Sequence, residues 1–323
     1  MQALPGFYHP TTLLLLDDDK AFLNSLQLAL APYYRSLAFT SAKAIEQAIR
    51  DHPFINEQPG GTINDHEVSR GMNPAPLYQC AFLPHRFHST IILILDYDMP
   101  QHHGLLVAQQ LKLSTSLKII MLTGEADQAT AVRAFNRGHI DRFITKGAVD
   151  YFENLLTYIQ ELHQDYFVDK AQRLLLSLDT TMNPLEQPEF IELFHEICQS
   201  HDIIEYYLLD DSYSFLLLNA MGAASWLLVR TEEDRQMYYE LAQEEGSAAV
   251  LQSLQHRQQI ACFPTLDSHT ASVDQWRFYP AQPLPNQPID YCLLTDEAAY
   301  PVTIDRIRSY AEFLQQRSDN NPL

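Results

Sequence analysis

The fold is decided by the stretch Ile91-Ile92-Leu93-Ile94-Leu95-Asp96-Tyr97-Asp98-Met99-Pro100. Five consecutive apolar residues are typical of a strand that is buried on both faces, and the run is too short to cross a membrane. A carboxylate follows the run directly, and Pro100 ends regular strand pairing. In an open parallel sheet, ligands bind at the carboxyl ends of the strands. Asp96 is therefore predicted to lie where chemistry takes place.

Other short apolar runs end in polar residues in the same way. Leu13 to Leu16 leads into Asp17-Asp18-Asp19, Lys118 to Leu122 leads into Thr123, and Arg142 to Thr145 leads into Lys146. A further short strand is predicted at 36–39, and helical spacing of apolar residues separates the strands, over 21–30, 41–49, 105–113 and 129–136. Strands that alternate with helices predict an α/β fold with a doubly wound, five-stranded parallel sheet.

The three adjacent acids at 17–19 need an explanation, because like charges repel one another. On an ordinary surface they would form a solvated turn. At the end of an apolar strand they are better explained by a cation that prefers hard oxygen ligands, such as Mg²⁺.

Taken together, these residues resemble the receiver domain of two-component response regulators, the family typified by the chemotaxis response protein. The motifs that carry the resemblance are, in chain order, Leu16-Asp17-Asp18, Asp96-x-x-Met99-Pro100, Thr123-Gly124 and Phe143-x-x-Lys146. The resemblance covers about residues 12–163, apart from an irregular insertion within that range. It implies that Asp96 accepts a phosphoryl group from a sensor histidine kinase or a phosphotransfer protein, as in a phosphorelay.

The resemblance also implies a metal site. Asp18 and Asp96 would bind Mg²⁺, or Mn²⁺, directly, and Asp17 would bind it through water. A carboxylate that attacks a phosphoryl group needs such a cation, because the two negative charges repel each other. The expected chemistry is phosphoacceptance with metal-dependent autophosphorylation and dephosphorylation, and not a further enzymatic activity of the receiver.

Three more side chains receive roles by resemblance. Lys146 would pair with the phosphoryl oxygens as a mobile point charge, the Thr123 hydroxyl would hydrogen-bond another oxygen, and Phe143 would be the aromatic switch. The sequence departs from the family at Gly147, where proline usually follows the lysine. Asp98 adds a negative charge near Asp96 and is a candidate modulator of the phosphoryl lifetime.

The predicted domains are a receiver at 10–164 with an irregular insertion at about 51–89, a helical linker at 165–183, and an output domain at 184–318. The insertion is either a surface elaboration or a partner-binding element. No Gly or Pro occurs between Gly147 and Pro184, so one helix could continue from the receiver through the linker. Two helices broken near Asp165 fit the pattern equally well.

The output domain shows a different periodicity. Short apolar runs at 206–209, 215–218, 226–229, 276–279 and 290–294 predict about five antiparallel strands, with helices over 189–199, 232–245, 247–259 and 304–315. This α+β pattern faintly resembles sensory modules of the PAS type, although a fold does not determine a function. A partner-binding domain, a small-molecule sensor and a divergent enzyme all remain open.

Charge limits the partners of the output domain. The chain carries a net charge of −20, and residues 165–323 hold 25 acids against 9 bases. DNA-binding proteins draw their affinity from Lys and Arg that neutralise phosphates. The charge therefore argues against nucleic acid and favours a protein partner, or a second copy of this chain in a homodimer.

Other bulk features predict the compartment. No charged-then-apolar signal segment and no apolar run of membrane length is visible, which predicts a cytoplasmic protein that does not contact membranes. The four cysteines form no Cys-x-x-Cys pair and are predicted to be reduced thiols: Cys80, Cys198, Cys262 and Cys292.

Overall fold

The structure is a computed structural model, which describes residues 3–51, 75–100, 103–124, 127–174, 183–255, 258–263, 272–295, 304 and 306–318. Parts of the predicted insertion and of the predicted linker lie outside these residues. The chain forms two compact units. The parallel-sheet unit comprises Pro10–Gln58 and His85–Phe167, and the antiparallel-sheet unit comprises Met1–His9, Pro59–Pro84 and Val168–Leu323.

The first half of the chain contributes elements to both units. In chain order its elements are β1 (Phe7–Tyr8), β2 (Thr12–Leu16), α1 (Lys20–Leu30), β3 (Arg35–Phe39), α2 (Ala42–Asp51), α3 (Ala75–Gln79), β4 (Thr90–Asp96), α4 (Gly104–Ser114), β5 (Lys118–Thr123), α5 (Gln128–Asn136), β6 (Arg142–Thr145) and α6 (Tyr151–Leu174). Of these, β1 and α3 belong to the antiparallel-sheet unit, and α6 begins in the parallel-sheet unit.

The parallel-sheet unit contains five strands in the order β3-β2-β4-β5-β6, and all four pairings are parallel. Every residue of β2 and of β4 is buried, as expected for strands that are covered on both faces. The predicted doubly wound α/β fold is therefore confirmed. Strands β2, β4, β5 and β6 are neighbours, so that their carboxyl ends meet at one edge of the sheet.

Local signals in the sequence set the helix ends of this unit. Gly138 follows α5 with a φ of 71°, a backbone conformation that glycine adopts without a steric cost. The amide of His139 then donates to the carbonyl of Ala134 at 3.0 Å, which is the hydrogen bond of a helix C-terminal cap.

The antiparallel-sheet unit contains most of the second half of the chain. Its elements there are α7 (Pro188–Ser200), β7 (Ile203–Leu208), β8 (Phe215–Asn219), β9 (Ala224–Thr231), α8 (Glu232–Glu244), α9 (Ala248–Gln255), β10 (Gln259–Cys262), β11 (Arg277–Pro280), β12 (Gln282–Pro283), β13 (Ile289–Leu294) and α10 (Tyr310–Ser318). A six-stranded antiparallel sheet has the order β1-β7-β8-β9-β13-β12. The predicted α+β class with an antiparallel sheet is confirmed.

Strand membership in this unit differs from the prediction. Strand β11, predicted from residues 276–279 to share the sheet with the others, pairs with β10 in a separate two-stranded sheet. The helix predicted over 247–259 is shorter in the structure, where α9 ends at Gln255 and Gln259 begins β10, a strand that the sequence analysis does not predict. Its residues Ile260, Ala261 and Cys262 are all buried, and such an unbroken apolar run does not distinguish a helix end from a strand.

The last helix also begins later than residue 304. The Ser309 hydroxyl accepts from the Glu312 amide at 3.2 Å, and the Glu312 carboxylate accepts from the Ser309 amide at 2.9 Å. These reciprocal hydrogen bonds form a capping box, and they start α10 at Tyr310.

Helix α6 runs without a break through Asp165, from Tyr151 to Leu174. Of the two alternatives for this region, the structure therefore has the continuous helix as far as Leu174. Among the described residues, no helix combines the length and the apolar character that a membrane span requires. The structure shows no disulfide bond at any of the four cysteines, all of which lie among the described residues.

Candidate functional site

Four neighbouring strands each deliver a polar side chain to the same edge of the parallel sheet. Asp17 follows β2, Asp96 ends β4, Thr123 ends β5 and Lys146 follows β6. The backbone continues the pairing at this edge, because the Lys146 amide donates to the Thr123 carbonyl at 2.9 Å. The order of the strands thus assembles residues that lie far apart in the sequence.

Three carboxylates form what we call the acid cluster: Asp17, Asp18 and Asp96. One oxygen of each lies within 4.8 Å of an oxygen of the other two. Asp17 and Asp96 are buried, whereas Asp18 is exposed. Hard oxygen ligands at this spacing fit a divalent cation such as Mg²⁺, and the exposed member leaves an open side for waters, which Mg²⁺ usually retains.

The third acid of the run has a different role from its neighbours. The Asp19 carboxylate accepts hydrogen bonds from the amides of Ala21 and Phe22, at 2.8 and 3.2 Å, and so caps α1. The Asp19 amide in turn donates to the Asp17 carboxylate at 2.9 Å. Asp19 therefore joins the strand end to the helix and orients Asp17.

Lys146 is shared between two members of the acid cluster. Its ammonium nitrogen lies 2.8 Å from Asp17 Oδ2 and 2.9 Å from Asp96 Oδ1. The same nitrogen lies 4.3 Å from the centre of the Phe22 ring, which is a cation–π contact. These contacts place the cation between the two buried carboxylates.

Burial and charge shift the pKa values of this pair. Burial raises the pKa of the Asp96 carboxyl, and the Lys146 ammonium offsets part of that rise. Burial alone would lower the pKa of Lys146, but its hydrogen bonds and charge attraction to Asp17 and Asp96 outweigh burial and raise it. Lys146 is therefore a cation at neutral pH.

Thr123 carries a buried hydroxyl at the end of β5. Its side chain is fully buried, and the hydroxyl makes no hydrogen bond to any of the described residues. Buried polar groups in native proteins normally have partners, so this hydroxyl is an exception at the edge where the acid cluster lies. Phe143, which pairs with Met121 across β5 and β6, is half-buried and lies 6.5 Å from Phe135, ring centre to ring centre.

The loop after Asp96 depends on a close backbone approach. Asp98 is exposed, and Met99 is buried in the core beside it. A Cβ on Gly104 would lie 2.0 Å from the Asp96 carbonyl oxygen, so that only glycine fits there. Gly104 is not among the glycines with a positive φ, so this position requires glycine for space and not for its backbone conformation.

All seven predicted site residues lie within the described part of the chain. The structure brings together the acid cluster and Lys146, and it places Thr123 at the adjoining strand end. The sequence missed Phe22 and the capping role of Asp19. An acid directly before a helix was a readable cap signal, whereas the contact of Phe22 with Lys146 depends on tertiary packing.

Comparisons with known proteins agree with this geometry. The family model of the response regulator receiver domain matches residues 77–160. The structure of the response regulator LqsR from Legionella pneumophila is similar, with 28% identity, a TM-score of 0.79, and coverage of 98% of this chain and 97% of that chain. No curated protein matches the sequence.

Two solved receiver domains show more distant similarity. One, from a Bacteroides fragilis response regulator, has 17% identity, a TM-score of 0.34, and coverage of 48% of this chain and 97% of that chain. The other, a CheY-like protein from Methanospirillum hungatei, has 21% identity, a TM-score of 0.33, and coverage of 50% of this chain and 98% of that chain. These scores are too low to support an argument.

The position of the receiver domain needs a correction. The sequence predicts an amino-terminal receiver over 10–164, whereas the family match begins at residue 77, and Met1–His9 belong to the antiparallel-sheet unit. Strands β2 and β3 lie before the match but pair within the same five-stranded sheet. The chain therefore contains a receiver domain of the response-regulator family.

Proposed function

We propose that Asp96 is the phosphoacceptor of this receiver domain. The observation that carries the proposal is the buried Asp96 carboxylate, which lies at a strand end between two further acids and a shared lysine. A carboxylate oxygen of Asp96 would attack phosphorus and form an acyl phosphate. The bond between phosphorus and the imidazole nitrogen of a phosphohistidine donor would break, so that the donor is a histidine kinase or a phosphotransfer protein.

The acid cluster is the proposed metal site of this reaction. Asp18 and Asp96 would hold Mg²⁺ or Mn²⁺ directly, and Asp17, which already accepts from Asp19 and Lys146, would hold it through water. A bound divalent cation supplies charge neutralisation to the incoming phosphoryl group. Without it, two buried carboxylates would repel the negative oxygens of the donor.

Lys146 and Thr123 are the proposed groups that bind the phosphoryl oxygens. Lys146 ends a flexible side chain, so its ammonium can turn from the carboxylates to a phosphoryl oxygen. The unpartnered Thr123 hydroxyl would donate to a second oxygen. Phosphorylation adds about −1.5 to −2 charge at neutral pH, which both donors would stabilise.

Phe143 is the proposed switch, and Asp98 a proposed modulator. Phe143 lies on the strand next to Thr123 and is only half-buried, so a shift of Thr123 would change the room available to the ring. Asp98 is exposed two residues after Asp96. Its negative charge would repel an attacking hydroxide and lengthen the phosphoryl lifetime.

We propose that the acidic second half of the chain passes the signal on. Its target would be a protein partner or a second copy of this chain. Residues 165–323 carry 25 acids and 9 bases, a charge that repels DNA. A gel-shift titration with duplex DNA at low ionic strength should give no complex. Tight and sequence-specific binding would contradict this destination.

Label transfer tests the phosphoacceptor directly. Radiolabelled acetyl phosphate and Mg²⁺ should label the wild-type chain, and EDTA should prevent the labelling. Asp96→Ala should take up no label, whereas Asp98→Ala, a matched acid two residues away, should still be labelled. Label retained on Asp96→Ala would refute the assignment.

A further inference from the structure

A second buried hydroxyl in the receiver domain resembles that of Thr123. The hydroxyl oxygen of Tyr151, the first residue of α6, is buried and makes no hydrogen bond to the part of the chain that the structure describes. A hydroxyl buried without a partner destabilises the folded state, because it has lost its hydrogen bonds to water. Such a group in a native structure calls for an explanation, and a functional role is one.

The chain holds Tyr151 close to Lys146. The Ala148 amide donates to the Thr145 carbonyl at 3.1 Å, and the Tyr151 amide donates to the Ala148 carbonyl at 3.2 Å. Two consecutive tight turns thus shorten the segment from Thr145 to Tyr151. Lys146, which contacts the acid cluster, lies within the first of these turns.

The Tyr151 hydroxyl interacts electrostatically with two carboxylates of the acid cluster. Burial and the negative charges of Asp17 and Asp96 all raise the pKa of the Tyr151 phenol. The hydroxyl therefore keeps its proton at every physiological pH and can serve as a hydrogen-bond donor.

Three carboxylate oxygens of the acid cluster already have donors in this structure. Asp17 accepts from Asp19 through Oδ1 at 2.9 Å and from Lys146 through Oδ2 at 2.8 Å, and Asp96 Oδ1 lies 2.9 Å from Lys146. A phosphoryl group on Asp96 brings three new acceptor oxygens to the site. A buried donor without a partner in the unphosphorylated site would then gain one.

We propose that Tyr151 is a further phosphoryl-binding residue, whose hydroxyl donates to an oxygen of the phosphoryl group on Asp96. This inference rests on the proposed function of Asp96. It adds a third donor, from α6, to Lys146 and Thr123, and it connects the phosphoryl group directly to the start of the long helix.

Beryllofluoride, which mimics the phosphoryl group on a carboxylate, provides the test. Tyr151→Phe removes only the hydroxyl, and Tyr158→Phe on the same helix is the matched control, since its ring lies by Arg142 instead. In the presence of Mg²⁺, Tyr151→Phe should bind beryllofluoride about 3- to 10-fold more weakly than the wild type and the control, the loss expected for one hydrogen bond.

Stability without ligand separates this role from a merely structural one. In EDTA, the denaturation midpoint of Tyr151→Phe should equal or exceed that of the wild type, because the variant removes a buried group without a partner. A lower midpoint in EDTA, an unchanged affinity for beryllofluoride, or an equal loss of affinity for Mg²⁺ alone would each overturn the proposal.

The wild type and Asp96→Ala distinguish a failure of this inference from a failure of the proposed function. If the wild type binds beryllofluoride and Asp96→Ala does not, the affinity of Tyr151→Phe decides the inference alone. If the wild type and Asp96→Ala behave alike, the phosphoacceptor assignment falls and the role of Tyr151 falls with it.

Discussion

The ammonium of Lys146 neutralises two buried carboxylates at once, and the receiver site is organised by this shared charge. Asp17 and Asp96 would repel each other without it, since charges interact strongly where water is excluded. A divalent cation bound by the acid cluster would supply the same neutralisation. If the acid cluster binds the proposed cation, lysine and metal would compete for this role, and the bound metal would release the lysine for other contacts.

Replacing Lys146 by methionine should make folding depend on Mg²⁺. Breaking a fully buried ion pair costs about 3–5 kcal/mol, and because a third of the Lys146 side chain is exposed, we expect about 1–3 kcal/mol in EDTA. Saturating Mg²⁺ should restore more stability to the variant than it adds to the wild type, as urea denaturation would show.

Lys112→Met is the matched control for this experiment. Lys112 pairs with Asp141 at 2.5 Å, outside the acid cluster. Mg²⁺ should not restore the stability that Lys112→Met loses. Equal responses of the two variants to Mg²⁺ would contradict the competition between lysine and metal.

Gly104→Ala should destabilise the receiver strongly. The added methyl group would lie 2.0 Å from the Asp96 carbonyl oxygen, and a backbone atom cannot move aside as a side chain can. We expect a loss of about 3 kcal/mol or more in the free energy of unfolding. Gly147→Ala, with no atom within 4 Å of its new Cβ, should change the stability by less than about 1 kcal/mol. A similar stability of the two variants, measured by denaturation, would refute the steric argument.

Helix α6 carries a histidine that couples the stability of the receiver to pH. His163 is buried, its Nε2 lies 2.7 Å from the Thr11 hydroxyl, and its Nδ1 has no hydrogen-bond partner among the described residues. Burial lowers the pKa of His163 from 6.5 to about 4. The folded protein therefore holds this imidazole neutral, and protonating it requires work against burial.

Stability should fall as the pH drops from about 6.5 towards 4. In this window the unfolded chain binds a proton at His163 that the folded chain does not, so acid favours unfolding. The contribution is complete above the unfolded pKa and amounts to about 3 kcal/mol. Urea denaturation across this range should show a smaller pH dependence for His163→Gln than for the wild type. His139→Gln, at a half-buried loop position, should behave like the wild type; an equal slope in His163→Gln would contradict the assignment.

The elements differ in how well the sequence predicts them, and the reasons are physical. Strands β2, β4 and β5 are apolar runs with polar residues at their ends, so burial on both faces is visible in the sequence. Strand β10 contains only three apolar residues, and its pairing with β11 over a long sequence separation is not visible in the local pattern. Strand β1, with two residues, is too short to show any period.

The residues of the candidate site also differ in how well the sequence predicts them. Its charged residues follow strands, and the chain order alone indicates that they meet at one edge. Phe22 and Tyr151 carry no such mark, because an aromatic residue in a helix is most often part of a core. Their relation to Lys146 and the acid cluster becomes visible only when the packing is known.

At the level of the whole molecule, strand β1 joins the six-stranded antiparallel sheet, whose other five strands come from the second half of the chain. Phe7 is fully buried and pairs with Tyr207, and Tyr8 stacks on Tyr206 at 5.7 Å between ring centres. The Leu208 amide adds a hydrogen bond to the Gly6 carbonyl at 2.7 Å. A fragment of residues 168–323 alone would lack this edge strand.

Phe7→Ala should therefore destabilise the antiparallel-sheet unit, by about 3 kcal/mol or more for a fully buried phenylalanine. Both tryptophans of the chain, Trp226 and Trp276, lie in this unit, so their fluorescence reports its unfolding alone. The unfolding midpoint measured by tryptophan fluorescence should be lower for Phe7→Ala than for the wild type. Tyr33→Ala, at a side chain that is 60% exposed, should leave it unchanged; equal midpoints for the two variants would contradict this role of β1.

The pairing of β1 with β7 also has a consequence for synthesis on the ribosome. Phe7 leaves the ribosome 200 residues before its partner Tyr207 is made. At about 5–20 residues per second, β1 waits for about 10–40 s without its neighbour. The five strands of the receiver are complete before that partner exists, so the receiver can fold first while the apolar strand β1 stays unpaired. Chaperones that bind short apolar segments would meet this strand during every round of translation.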